Sequence, residues 1–211
     1  MKTQFTLTAL ALTSALAFST SAMAASNPAT SEFNVTIKLT GVCEVATESG
    51  RTAAISDDNH ASAGADINFG EYEAQANSAI INGKSAAGSA DGLHIKCSKN
   101  TPFSIGLLPQ NSGATSAGAG VMTGLNLNGG THSDNIKYQL YQPATSQGAI
   151  ADNGSHTSKP WGNDKGTNTV DLIGKGMDTV IKVPVYADVL ANELNKTPDR
   201  YQDRVTVSVS Y

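Results

Sequence analysis

The chain has 211 residues, with 14 basic and 18 acidic side chains and a formal net charge of −4. Its Lys and Arg residues are scattered singly, whereas a surface that displaces counterions from phosphate needs them clustered, so a nucleic-acid partner is excluded. Charged residues make up only 15% of the chain and Gly, Ser, Thr, Asn and Ala are plentiful, a balance that suits an exported β-rich protein better than a cytosolic helical enzyme.

The N-terminus opens with Met1-Lys2, continues as an apolar stretch from Phe5 to Phe18, and ends in Ser21-Ala22-Met23-Ala24. That order of charge, apolar run and small-x-small site is a secretory signal peptide over residues 1–24, cleaved before Ala25. Thr6, Thr8, Thr13, Ser14, Ser19 and Thr20 dilute the run below the ~20 predominantly apolar residues that a bilayer crossing needs. Since no later segment is apolar enough to span, the mature chain is expected to be soluble and exported.

Residues 25–31 read as a polar leader containing Pro28, and Phe33-Asn34-Val35-Thr36-Ile37-Lys38-Leu39 then alternates apolar with polar. Period two places Phe33, Val35, Ile37 and Leu39 on one face of a strand. Gly41 interrupts, Val42–Val45 resumes an extended pattern, and residues 46–65 read as a polar loop with Asp57-Asp58-Asn59-His60 at its tip. Short β-type runs follow at Asp66–Phe69, Ala79–Ile81, Leu93–Cys97 and Phe103–Leu107. The stretch 109–135 reads mostly as loop, with a possible strand at Val121–Leu127; Ile136–Tyr141 alternates again. A second long loop over 142–168 carries Trp161, and strands are expected at Thr169–Ile173 and Thr179–Val189. The clearest alternation is the last one, Arg204–Tyr211, with Val205, Val207, Val209 and Tyr211 on one face. Many short strands between Gly, Asn and Ser turns predict an all-β sandwich of one domain.

Cys43 and Cys97 are the only cysteines. In an oxidising compartment an even number predicts a disulfide, which in the entropic description stabilises by ~4 kcal/mol for a loop of this size. Two thiols so far apart, without paired His at ligand spacing, do not make a zinc site.

Chemistry is sparse elsewhere. His60, His94, His132 and His156 are scattered, His94 on a strand with an exposed side chain expected and the others in loops. They lack metal-ligand spacing. Neither Asp57-Asp58-Asn59 nor Gly162-Asn163-Asp164 completes a calcium loop with spaced acids and a closing Glu. No Gly-x-Ser-x-Gly elbow occurs, and the glycines at 113, 118, 120 and 124 are not followed by Gly-Lys-Ser/Thr. No catalytic residue, metal or cofactor is therefore assigned. Asn195-Lys196-Thr197 matches the glycosylation pattern, and Trp161 in its long loop could stack on a sugar or simply pack.

Both ends of the mature chain are strongly patterned strands. An edge strand there exposes unpaired backbone and an apolar groove unless something covers it, and a partner's strand is one such cover. Several phrases, taken in order, then carry a resemblance. They are the strand leading into Cys43, Ile67-Asn68-Phe69-Gly70-Glu71-Tyr72, Ile95-Lys96-Cys97, and Tyr138-Gln139-Leu140-Tyr141 followed by Trp161-Gly162. Val183-Pro184-Val185-Tyr186-Ala187 and the ending from Pro198 to Tyr211 complete the set. With them the chain resembles the spore coat protein U domain family, which includes subunits of archaic chaperone–usher pili. It departs in having Asp199-Arg200 where a glycine is usual before the tyrosine matching Tyr201, and in longer loops over 109–168.

The resemblance implies an immunoglobulin-like sandwich, over residues 41–211, that lacks its final strand. A periplasmic chaperone would lend a strand, and at an outer-membrane usher the N-terminal segment of the next subunit, another copy of the chain or a related pilin, would replace it. Residues 25–40 would then be leader and donor strand, with Phe33, Val35, Ile37 and Leu39 entering a neighbour's groove. Val205, Val207, Val209 and Tyr211 would border the groove and meet the chaperone. The product would be a cell-surface pilus serving adhesion and biofilm formation. Two alternatives stay open: Phe33–Leu39 as an ordinary first strand of its own domain, and a monomeric surface or spore-coat binding protein, or adhesin, using the long loops.

Overall fold

A computed structural model describes residues 29–48, 64–85, 92–127, 130–150 and 156–211. The expected signal peptide and the loop tip at 57–60 lie outside the described residues. The chain divides into two units, Met1–Lys38 and Leu39–Tyr211.

In the first unit, residues 29–38 carry no strand or helix. Phe33, Val35 and Ile37 are 85–86% exposed, and Leu39, which opens the second unit, is 83% exposed. The alternation seen in sequence is therefore not used to bury these side chains.

The second unit is all β among its described residues. Its strands are β1 (Cys43–Ala46), β2 (Ile81–Lys84), β3 (Leu93–Cys97), β4 (Pro102–Pro109), β5 (Ala119–Gly124), β6 (Asn135–Pro143) and β7 (Thr145–Ser146). They continue as β8 (Ala149–Ile150), β9 (His156–Pro160), β10 (Val170–Ile173), β11 (Ile181–Val183), β12 (Tyr186–Val189), β13 (Tyr201–Gln202) and β14 (Val205–Ser210). All pairings are antiparallel. Three sheets, ordered β1-β3-β11, β10-β4-β14 and β13-β5-β6-β12-β2, form a sandwich-like fold, with β9 added along β6 and a small β7-β8 ribbon apart.

One apolar cluster holds the sheets together. Leu93, Ile95 and Cys97 of β3, Phe103, Ile105 and Leu107 of β4, and Ile136, Tyr138 and Leu140 of β6 all enter it. Their every-other-residue spacing is the period that puts one face of a strand inward. Strand β4 is buried on both faces at its centre, because the segment after Trp161 covers its outer side. The Trp161 indole N–H donates to the Ile105 carbonyl at 2.9 Å, and a side chain at Gly106 would meet Ser208 and the Asn163 backbone.

Differences from the expected elements have local causes. The single strand expected over Thr179–Val189 is split into β11 and β12, which join different sheets: Ile181 faces Ile95, whereas Tyr186 faces Tyr141. Pro184 lies at the break and, lacking an N–H, cannot continue a ladder. The run Asp66–Phe69 makes only an isolated bridge, Ile67 to Ser85. Within 142–168, expected as loop, lie β7, β8 and β9, whose residues lack the apolar alternation that marks a strand. Cys43 and Cys97 face each other across β1 and β3 and form the expected disulfide.

Candidate functional site

Two strands leave inward-facing apolar side chains uncovered. In β1, Val45 faces Ile95, which in turn faces Ile181, and residues directly opposite in a ladder share a sheet face. Ile95 is fully buried and Ile181 is 7% exposed, yet Val45 is 41% exposed. In β14, Val207 faces Leu107 and Val209 faces Ile105, both buried. Val207 and Val209 are nonetheless only partly covered, and Val205, facing Pro109, is exposed. Strand β14 has a neighbour on one side only, β4. Its other edge carries a row of backbone groups with no ladder partner among the described strands.

Beside Val205 and Val207 opens a cleft of about 1180 Å³. Its apolar lining includes Leu107, Met122, Ile136, Tyr138 and Leu140, and one wall is Val205–Val207 of β14. A second wall is the segment Asp66–Ala74, in which Ile67 and Phe69 pack over Gly83, where any side chain would strike the Phe69 ring.

The third wall, Lys196–Arg204, leads into β14 and is fixed by three carboxylates. Asp199 accepts from the backbone N–H groups of Asn126 (2.6 Å) and Leu127 (3.1 Å), and its Oδ2 lies 2.9 Å from His132 Nε2. The Asp134 N–H points at His132 Nδ1 (3.3 Å), which leaves Nε2 as the nitrogen that donates to Asp199. Burial pushes the Asp199 carboxyl up, but its hydrogen bonds from Asn126, Leu127, His132 and Arg200 outweigh this and hold it below the usual carboxylate range. Asp134 accepts from both the hydroxyl (2.6 Å) and the backbone N–H (2.8 Å) of Thr197, and these bonds hold it low as well. Asp203 takes the Tyr138 hydroxyl (2.8 Å) and the Asn111 N–H (3.0 Å). Burial, then the Asp203 charge, pushes the Tyr138 phenol far up. Tyr201 donates to the Thr197 carbonyl at 2.6 Å and is pushed up to about 12 by burial and by Asp134 and Asp199.

Residues 29–208 match the Spore Coat Protein U domain. The chain belongs to this family. No curated protein matches it. In this Spore Coat Protein U chain the matched range takes in the exposed Phe33–Leu39 segment, both half-disulfides and Val205 and Val207 of the open strand.

The structure thus places Val205, Val207 and Val209 on the cleft-side strand, with Tyr211 just beyond it and 59% exposed. It places Phe33, Val35, Ile37 and Leu39 in solvent. Among the described residues, no three His, Cys, Asp or Glu side chains converge as metal ligands. His94, expected to be exposed, is largely covered, with its side chain 19% accessible beside Glu48. His132 is not a solvated loop side chain but part of the wall network, and His156 lies in β9, stacked on Tyr141. Sequence reading also passed over Asp134, Asp199 and Asp203. Their partners lie 63 to 92 residues away in sequence, and no local pattern signals such contacts.

Proposed function

We propose that this Spore Coat Protein U chain is a non-catalytic structural subunit of a surface pilus, assembled by strand exchange between copies. The observation that carries this reading is the pair of uncovered inward faces on β1 and β14, where Val45, Val205, Val207 and Val209 face the interior yet meet solvent. A strand laid along the free edge of β14 would cover them and complete its hydrogen bonds. The chain carries a segment of the required kind in Phe33–Leu39, whose four alternate apolar side chains are themselves exposed. Seven residues at ~3.3 Å each span about 20 Å, which matches the six residues of β14.

The energetics favour regulated assembly. Burying Phe33, Val35, Ile37 and Leu39 stabilises by about 6–12 kcal/mol, against about 7–14 kcal/mol for ordering seven backbone residues. Side chains alone therefore break even, and backbone pairing with closure of the cleft tips the balance. A subunit with an open cleft needs a cover before assembly, which is the work of a periplasmic chaperone. Ordered handover at an outer-membrane usher would then deliver the subunits to the cell surface, where the polymer serves adhesion and biofilm formation.

The test is the state of the mature chain in periplasmic extracts on unboiled SDS gels, with the cognate chaperone co-expressed. The full chain should give a ladder that boiling dissociates, and deletion of residues 25–39 should abolish the ladder while leaving a chaperone-bound monomer. Ile37→Asp should do the same with the subunit's own stability unchanged within ~0.5 kcal/mol, because the residue is exposed. A deletion variant that still polymerises, or a full-length monomer indifferent to chaperone, would overturn the reading in favour of a self-complete domain.

A further inference from the structure

We infer that the Cys43–Cys97 disulfide is the mechanical joint of the assembled subunit, carrying tension from its N-terminal segment directly into the core and bypassing strand β1. This inference rests on the strand-exchange reading above.

In an assembly of that kind every subunit is pulled at two places. One is β14, against which the neighbour's segment lies; a pull along the strands loads its whole ladder at once, and β14 is in register with β4 over six residues. The other is the start of the subunit's own β1, to which residues 29–42 are attached. Strand β1 is the weak element on this path. It has four residues, pairs with β3 alone among the described strands, and exposes Glu44, Val45 and Ala46 to solvent. Its burial resists detachment little. After β1, the next backbone tethers among the described residues are Ala65 N–H to the Thr47 carbonyl, Gly92 N–H to the Gly64 carbonyl, and the Ile67–Ser85 bridge.

The disulfide joins the first residue of β1 to its facing residue in β3. Tension arriving at Cys43 therefore passes to Cys97 before any β1 backbone pair is loaded. Cys97 is a strong anchor: it is fully buried, its strand lies between β1 and β11, and its carbonyl accepts from the Gly176 N–H at 3.0 Å. Three residues separate Leu39 from the joint, and the last of them, Val42, is already bonded to Ser98 through both its N–H (3.0 Å) and its carbonyl (2.9 Å), so an assembled link can extend by no more than about 14 Å there. Without the bond, β1 would peel, the Thr47 carbonyl would part from the Ala65 N–H, and the chain from Cys43 to Gly64–Ile67 would then hold about 70–80 Å of contour.

The experiment stretches single two-subunit assemblies of the full chain, tethered by tags on the two globular units, before and after reduction of the already tethered assembly. Thiol labelling reports the reduction. The oxidised assembly should part after lengthening by no more than about 14 Å, and the reduced one should show an additional early lengthening of up to about 70–80 Å. A second variant guards against loss of fold. Cys43→Ser and Cys97→Ser are combined with Ala46→Cys and His94→Cys, which moves the cross-link to the far end of the same strand pair; its early lengthening should shrink to about 10 Å. Oxidised and reduced traces that coincide, or a moved cross-link that still pays out 70–80 Å, would overturn this inference alone. Failure to form any two-subunit assembly would overturn the strand-exchange reading and this inference with it.

Discussion

Asp199 decides how the segment entering β14 is held. Its side chain is 2% accessible and gathers two backbone N–H groups and His132. Asp199→Ala leaves these donors unsatisfied, a cost of about 1–3 kcal/mol that thermal melts will read as a lower Tm. The pH dependence follows from the same contacts. Asp199 and Asp134 titrate below their unfolded value, so their contribution is fully present above about pH 4 and is lost as pH falls through the folded values. Melts at stepped pH should show Tm falling below pH 4, and the fall should be smaller in Asp199→Asn. Tyr201 acts in the opposite direction. Its phenol is raised to about 12, so stability is unaffected up to pH 10, where the unfolded phenol begins to ionise, and is lost from there to about pH 12. None of this was legible in the sequence. His132 and Asp199 are 67 positions apart, and each alone looks like a solvated loop residue.

At the scale of elements, strands with strict alternation were legible and short polar ones were not. Leu93–Cys97 and Val205–Ser210 announce themselves by period two. By contrast β13 is two residues, Tyr201–Gln202, paired to Gly124 and Thr123, too short for any period to register. The segment Phe33–Leu39 shows the limit from the other side: it has the period-two pattern of a strand, yet it forms none and its apolar side chains stay exposed. Turns into strands depend on backbone shape. Gly118, just before β5, has φ +81°, and a side chain there would run into the Trp161 carbonyl. Gly118→Ala should therefore destabilise by about 1–3 kcal/mol through strain and overpacking, measured by urea unfolding with an unchanged m-value.

For the whole molecule, the proposed strand exchange predicts that an occupant of the cleft adds stability. A ligand that binds only the folded form stabilises by mass action, by ~2.7 kcal/mol at one hundred times its dissociation constant. A synthetic peptide of residues 29–40, added to the chain lacking residues 25–39, should raise Tm in a concentration-dependent way. The same peptide with Ile37→Asp should not. An unchanged Tm at millimolar wild-type peptide would count against the cleft as a strand acceptor. The fold class and the disulfide were readable because cysteine number and alternation are written locally. The cleft was only implied by the resemblance, since it is defined by side chains of distant strands that fail to meet a cover.

Trp161 gives these experiments an optical gauge of their own. It is the sole tryptophan, fully buried, with its indole N–H tied to the Ile105 carbonyl in the middle of β4. Its fluorescence will be blue-shifted and shielded from aqueous quenchers while the β10-β4-β14 sheet is intact, and will move to the red when that sheet opens. Substitutions at the solvent-exposed Phe33, Val35 or Ile37 leave that emission unchanged. Under the proposed strand exchange, a variant that fails to polymerise but keeps the blue emission would have lost its coupling to neighbours, whereas one that emits red would have lost its fold.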